Sequence, residues 1–77
     1  MKMGKEKVKL HKHHRKCRSN GGSNHKSNIS VVKANKHDSW HHLFKNFDAQ
    51  KIADVINEKW LDPEYYFLVA KREDIHD

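Results

Sequence analysis

Two adjacent histidines, His13-His14, and a second pair four residues apart, His37 and His41, are the side chains of this sequence best suited to chemistry. Between them lie a glycine pair, Gly21-Gly22, and an asparagine, Asn28. Imidazoles one helical turn apart can reach a common atom, a recurrent way to grip a transition metal. In a chain with 8 histidines such a pair also arises by chance on an exposed face, so its weight rests on the rest of the set. Neighbouring side chains of a strand point to opposite faces, so His13 and His14 cannot both bind one ion if the strand stays regular. One is expected to bind, and the other to stand beside the ion, free to take a proton.

The elements that must position these groups follow from the pattern of residue types. Residues 7–14 alternate, with Val8 and Leu10 on one face and Lys7, Lys9, His11 and His13 on the other, which predicts a half-exposed strand. Residues 15–27 are almost wholly polar and hold the glycine pair, so they read as a long loop, a kind usually kept for function in a small domain. Ile29-Ser30-Val31-Val32-Lys33 is β-rich and should pair antiparallel with the first strand. Asn35 then reads as the N-cap of a helix reaching about Phe47, with Trp40, Leu43, Phe44 and Phe47 as its buried stripe and His37 and His41 beside it. Asp48 caps a second helix, residues 49–60, whose stripe is Ile52, Val55, Ile56 and Trp60. Asp62-Pro63 opens another short element. Periodicity leaves the apolar run of residues 65–69 open between a helical turn and a strand, and residues 71–77 form a polar tail.

Length and composition bound the answer. A chain of 77 residues allows one small domain, read as a single unit over 1–77 with a basic arm (1–6), a core (7–47) and a C-terminal helix and tail (48–77). Cores this small often need a staple, and with only Cys17 present an intrachain disulfide is impossible, which leaves a metal. No stretch approaches the ~20 apolar residues of a membrane span. The basic start is not followed by an apolar run, so a signal peptide is not expected and a cytosolic location, in a bacterial host, is. The net charge of +6 is uneven: residues 1–47 carry twelve Lys/Arg against two acids, and residues 48–77 carry four against eight. A basic half favours a polyanionic partner, although a merely soluble basic surface is common.

Taken together, residues 8–47 resemble the HNH endonucleases, most closely the colicin-type DNase version with its pattern His-His, Gly-Gly, Asn, His-x-x-x-His. The resemblance implies an α+β fold: a ββα-metal (His-Me finger) unit, here with an additional C-terminal helix. It also implies roles. His13, His37 and His41 match the metal ligands, His14 the general base, and Asn28 the residue that ties the long loop and holds the base. Gly21 and Gly22 match the loop glycines. Where the family commonly has proline three residues after the base, this chain has Cys17, which loosens the loop without removing chemistry and is also a candidate soft ligand. His42 competes with His41 but lies about 100° further round the helix. Trp40, Phe44, Phe47 and Trp60 read as core, and His11, His25 and His76 as surface or idle.

The expected function is a metal-dependent endonuclease or nickase acting on DNA with low sequence preference, leaving 5′-phosphate and 3′-hydroxyl ends as the family does. Its size and resemblance fit the proteins that phages and mobile elements carry. Three neutral imidazoles favour Zn²⁺, Ni²⁺ or Co²⁺ over Mg²⁺; zinc is expected to be bound, with Mg²⁺, Mn²⁺ or Ni²⁺ as further candidates for activity. Arg15, Lys16 and Arg18 follow the base directly and are placed to hold phosphates. The competing expectations are two. One is an HNH-like scaffold with a structural metal that docks on a host protein through residues 62–77. The other is a zinc module that only binds nucleic acid. A homodimer would bring two centres to two strands, though nothing in the sequence demands one.

Overall fold

The computed structural model describes residues 8–74; the expected basic arm, Lys7 and His76 lie outside them. Among the described residues, two antiparallel strands and two α-helices make a mixed α+β architecture. Strand β1 spans Leu10–His14 and pairs with β2, Ile29–Lys33, in a register that sets His13 opposite Ser30 and His14 opposite Ile29. The loop between them is shaped by two 3₁₀ turns, Arg18–Asn20 and Lys26–Asn28. The chain divides into two compact units, one ending at Asn46 and the other beginning at Phe47.

Helix α1 spans Ala34–Phe44 and starts without the expected Asn35 cap. Strand β2 runs straight into it: Lys33 is still extended (φ −66°, ψ 141°), and the Ala34 N–H donates to the Lys9 carbonyl at 2.9 Å. One orphan donor of the first turn is thereby met by the residue just before β1, and Asn35 falls inside the helix. The helix also ends earlier than expected, at a turn in which Lys45 adopts φ 48°, leaving Phe47 in the second unit.

The face that α1 turns toward the hairpin is His37, Trp40, His41 and Phe44, spaced i, i+3, i+4, i+7. Phe44 is buried and stacks on Trp40 with ring centroids 4.6 Å apart. Leu43, expected in that stripe, is 42% exposed because the histidines take its place. The same inversion holds in β1 and the residues leading into it, where His11 and His13 are half-buried while Val8 and Leu10 face solvent.

In the second unit, α2 spans Ala49–Val55, and its N-cap is the expected one: Asp48 accepts from the Lys51 N–H at 2.8 Å. The helix then widens into a π-helical stretch, Ile56–Trp60, closed by the Leu61 N–H donating to the Ile56 carbonyl at 2.8 Å. The wider turn takes Trp60 off the buried stripe, leaving it 63% exposed. Residues 65–69 form neither helix nor strand. The Asn57 amide stands in for a strand partner, accepting from the Phe67 N–H at 2.8 Å and donating to its carbonyl at 3.0 Å.

Candidate metal centre

The pleat of β1 puts His11 and His13 on one face, and the turn of α1 puts His37 and His41 on one stripe. Where these faces meet, one ring nitrogen from each of His13, His37 and His41 lies within 4.8 Å of the others. The rings pack edge to face, with centroids 5.2 Å apart for His13–His37, 5.6 Å for His13–His41 and 4.6 Å for His37–His41. Nε2 of His37 and Nε2 of His41 are 3.0 Å apart. Two nitrogens on a tetrahedral zinc at ~2.0–2.1 Å would stand about 3.3 Å apart, so the pair needs only a small opening.

Two further properties suit this set to a cation. Nδ1 of His13 is buried with no hydrogen-bond partner, an uncommon condition for a buried polar atom and one that an ion bound at that nitrogen would remove. The protonated forms of His13 and His37 are also disfavoured. Burial pulls both rings below the ordinary histidine value of 6.5, and the neighbouring histidines add to it; Asp38 partly offsets this at His37. Neutral imidazole is the form that binds metal.

His14, at the end of β1, points elsewhere. Its Nε2 donates to Oδ1 of Asn24 at 2.8 Å, an oxygen that can only accept, so in the neutral ring Nδ1 is bare. His14, His37 and His41 line one cleft of about 270 Å³, shared with Lys12, Cys17 and Arg18. His14 and two members of the histidine cluster thus share one cleft.

The loop is held by Asn28, whose amide accepts from the Lys16 N–H at 2.7 Å and donates to the carbonyls of Lys16 (3.1 Å) and Ser23 (2.8 Å). Its own carbonyl accepts from the Arg15 N–H at 2.8 Å, fixing the chain just after His14. The two glycines answer different needs. Gly21 has φ 91°, which a side chain disfavours, and a Cβ on Gly22 would lie 1.8 Å from the Lys16 carbonyl oxygen.

Of the residues expected to meet phosphates, Arg18 lines the cleft, whereas Arg15 spends a guanidinium N–H on the Ser27 carbonyl at 3.3 Å. Lys16 contributes its backbone to the Asn28 tie and is otherwise exposed. Lys12 lines the cleft and was not expected there. Among the described residues, two groups of side chains meet closely enough to share an ion, His13 with His37 and His41, and His11 with His37 and Asp38; Cys17, half-buried on the cleft wall, and the exposed His42 belong to neither.

His11 departs from its expected surface role. It is half-buried, with Nδ1 2.9 Å from Nδ1 of His37 and the two rings edge to face at 5.0 Å. The alternation of β1 carried the signal, since His11 and His13 share a face. Asn24, the partner of His14, had no signal of its own. His25 is exposed, as expected, and caps the second 3₁₀ turn by accepting from the Ser27 N–H. Comparison with known proteins finds no matching family model, no matching curated protein and no matching solved structure.

Proposed function

We propose that this chain is a metal-dependent phosphodiesterase of the HNH type that cuts DNA with little sequence preference, its hairpin and α1 forming a ββα-metal unit. The observation that carries the reading is the meeting of three imidazoles, one with an orphaned buried nitrogen, near a fourth, His14, that lines the same cleft as His37 and His41. A hydrophobic core needs no such division between rings.

His13, His37 and His41 would hold one divalent ion, zinc by the chemistry of the donor set. When bound, such an ion supplies a Lewis acid for a phosphate oxygen and for charge on the leaving oxygen. The protein's own groups do the rest. His14 accepts a proton from water at Nδ1, and Asn24 holds the ring so that this nitrogen, rather than Nε2, is presented. Lys12 and Arg18 on the cleft wall draw in a phosphate backbone, with Arg15 and Lys16 adding charge nearby. Asn28 keeps the chain after His14 in place.

The test is plasmid cleavage by the parent protein and by His14→Ala in the presence of Mg²⁺, Mn²⁺, Ni²⁺ or Zn²⁺. The parent should nick or linearise DNA with at least one metal, and the variant should lose 10²-fold or more, on the order expected for a general base. One observation favours a second reading, a non-catalytic scaffold that docks on another protein: the run Tyr65, Tyr66, Phe67, Leu68 is more than half exposed at every position. Zinc-loaded protein that cleaves nothing under any of these conditions would select the scaffold.

A further inference from the structure

Three close contacts run in a line through the histidine cluster. Nδ1 of His11 is 2.9 Å from Nδ1 of His37, Nε2 of His37 is 3.0 Å from Nε2 of His41, and Nδ1 of His41 is 3.3 Å from the Lys45 carbonyl oxygen. A neutral imidazole carries one N–H and one bare nitrogen, so the protons in this line can be assigned in order. A carbonyl only accepts, which puts the His41 proton on Nδ1 and leaves its Nε2 bare. The 3.0 Å contact then requires the His37 proton on Nε2. His37 Nδ1 is therefore bare, and the His11 proton lies on Nδ1, donated to His37. All three protons point toward Lys45.

An ion held by Nε2 of His37 and Nε2 of His41 is incompatible with this arrangement, because a nitrogen that binds metal carries no proton. The neutral form of His37 must then carry its proton on Nδ1, which faces His11. That bond survives only if His11 becomes the acceptor, with Nδ1 bare and its own proton on Nε2. The exchange balances: His37 loses the Nε2 proton to water and receives the His11 Nδ1 proton, and His11 takes one from water at Nε2. No ring changes charge.

We propose that His11 is a positioning residue of the metal centre, a tautomer partner that donates to His37 in the ion-free protein and accepts from it in the loaded one. The ring plane of His37 is held in both states, so the ligand is oriented before the ion arrives. Ligating histidines generally rely on a partner at their second nitrogen, and an acceptor-only carbonyl or carboxylate cannot also satisfy the ion-free tautomer deduced for His37. The inference rests on reading His13, His37 and His41 as a metal centre, and its test separates the two.

In mildly alkaline buffer, nitrogen-resolved NMR of the histidine rings should place the His11 proton on Nδ1 without metal and on Nε2 with zinc. Coupling between the two Nδ1 atoms through their hydrogen bond should persist in both. Zinc affinity by calorimetry should fall ~10–100-fold in His11→Ala, the usual cost of losing such a partner. His11→Glu, an acceptor suited to the loaded state, should bind zinc within a few-fold of the parent. A parent that binds zinc while His11 keeps one tautomer throughout overturns the inference and leaves the metal centre standing. The same follows if His11→Ala binds zinc as the parent does, or if a second zinc per chain recruits His11 with Asp38, which lies close enough to join His11 and His37 in a second group. A parent that binds no zinc removes the centre and the inference together. The NMR measurement needs no variant, so a failure of His11→Ala to fold does not block it.

Discussion

In the unit that ends at Asn46, the side chains turned inward from β1 and α1 are His11, His13, His37 and His41 with Trp40 and Phe44, while Val8, Leu10, Val31 and Leu43 face solvent. In the unit that begins at Phe47, Ala53 is buried and Ile52, Val55 and Ile56 are half-buried along an ordinary amphipathic stripe. Along α2 the second unit follows the usual rule that apolar surface is removed from water, although Trp60 and the run Tyr65–Leu68 stay exposed. The first breaks it, placing titratable rings where a core belongs and leaving a buried nitrogen unpaired. Beyond the packing of Phe44 on Trp40, the cohesion of this interior rests on what the rings hold between them and on the polar tie of Asn28. The two units should therefore respond differently to the same perturbation.

The sharpest way to break that contrast is in the loop. Gly22→Ala places a methyl group 1.8 Å from the Lys16 carbonyl oxygen, a backbone atom that cannot step aside without pulling on the Asn28 tie. We expect a loss on the order of 3 kcal/mol in the first unit, as for other severe steric conflicts. Hydrogen exchange should show it as lost protection over β1 and β2 with α2 little changed; equal loss in both units would erase the distinction. The complementary change is Asp48→Ala, which removes the side-chain acceptor for the Lys51 N–H and should cost about 1 kcal/mol. Exchange should quicken at the start of α2 and leave the histidine cluster unmoved.

A smaller effect, softened by the partial exposure of both rings, is expected from pH. His13 and His37 resist protonation in the folded chain more than in the unfolded one, where they titrate near 6.5. Below about that pH the unfolded state binds more protons, so stability should fall as pH drops through 6.5 toward the lowered folded values, and stay level above it. Denaturant midpoints of the ion-free protein at a series of pH values give the slope. A midpoint that rises on acidification contradicts the burial assigned to these rings.

Much of the fold was legible because local patterns decide it. The span of β2, the antiparallel hairpin, the Asp48 cap and the one-turn spacing of His37 and His41 all depend on near neighbours. Two misreadings share one cause: the sequence pattern sets Leu43 in the core and His11 at the surface because apolar residues are assumed to be inside. Here tertiary contact between imidazoles overrides that rule. Trp60 escaped for another reason, since a shift from i→i+4 to i→i+5 bonding after Val55 leaves no mark in residue type. Asn35 looked like a cap because nothing in the sequence says that Lys9 will meet the first helical N–H. Asn24 could not be found at all, for its role depends on how the loop folds back on His14.

The central claim, that His13, His37 and His41 together hold one divalent ion, is tested most directly by zinc calorimetry on the parent chain and on single alanine variants. The account predicts one zinc per chain, lost with His13→Ala, His37→Ala or His41→Ala and kept with His25→Ala or His42→Ala. Zinc binding that survives loss of any of the three, or that fails in the parent, would contradict it.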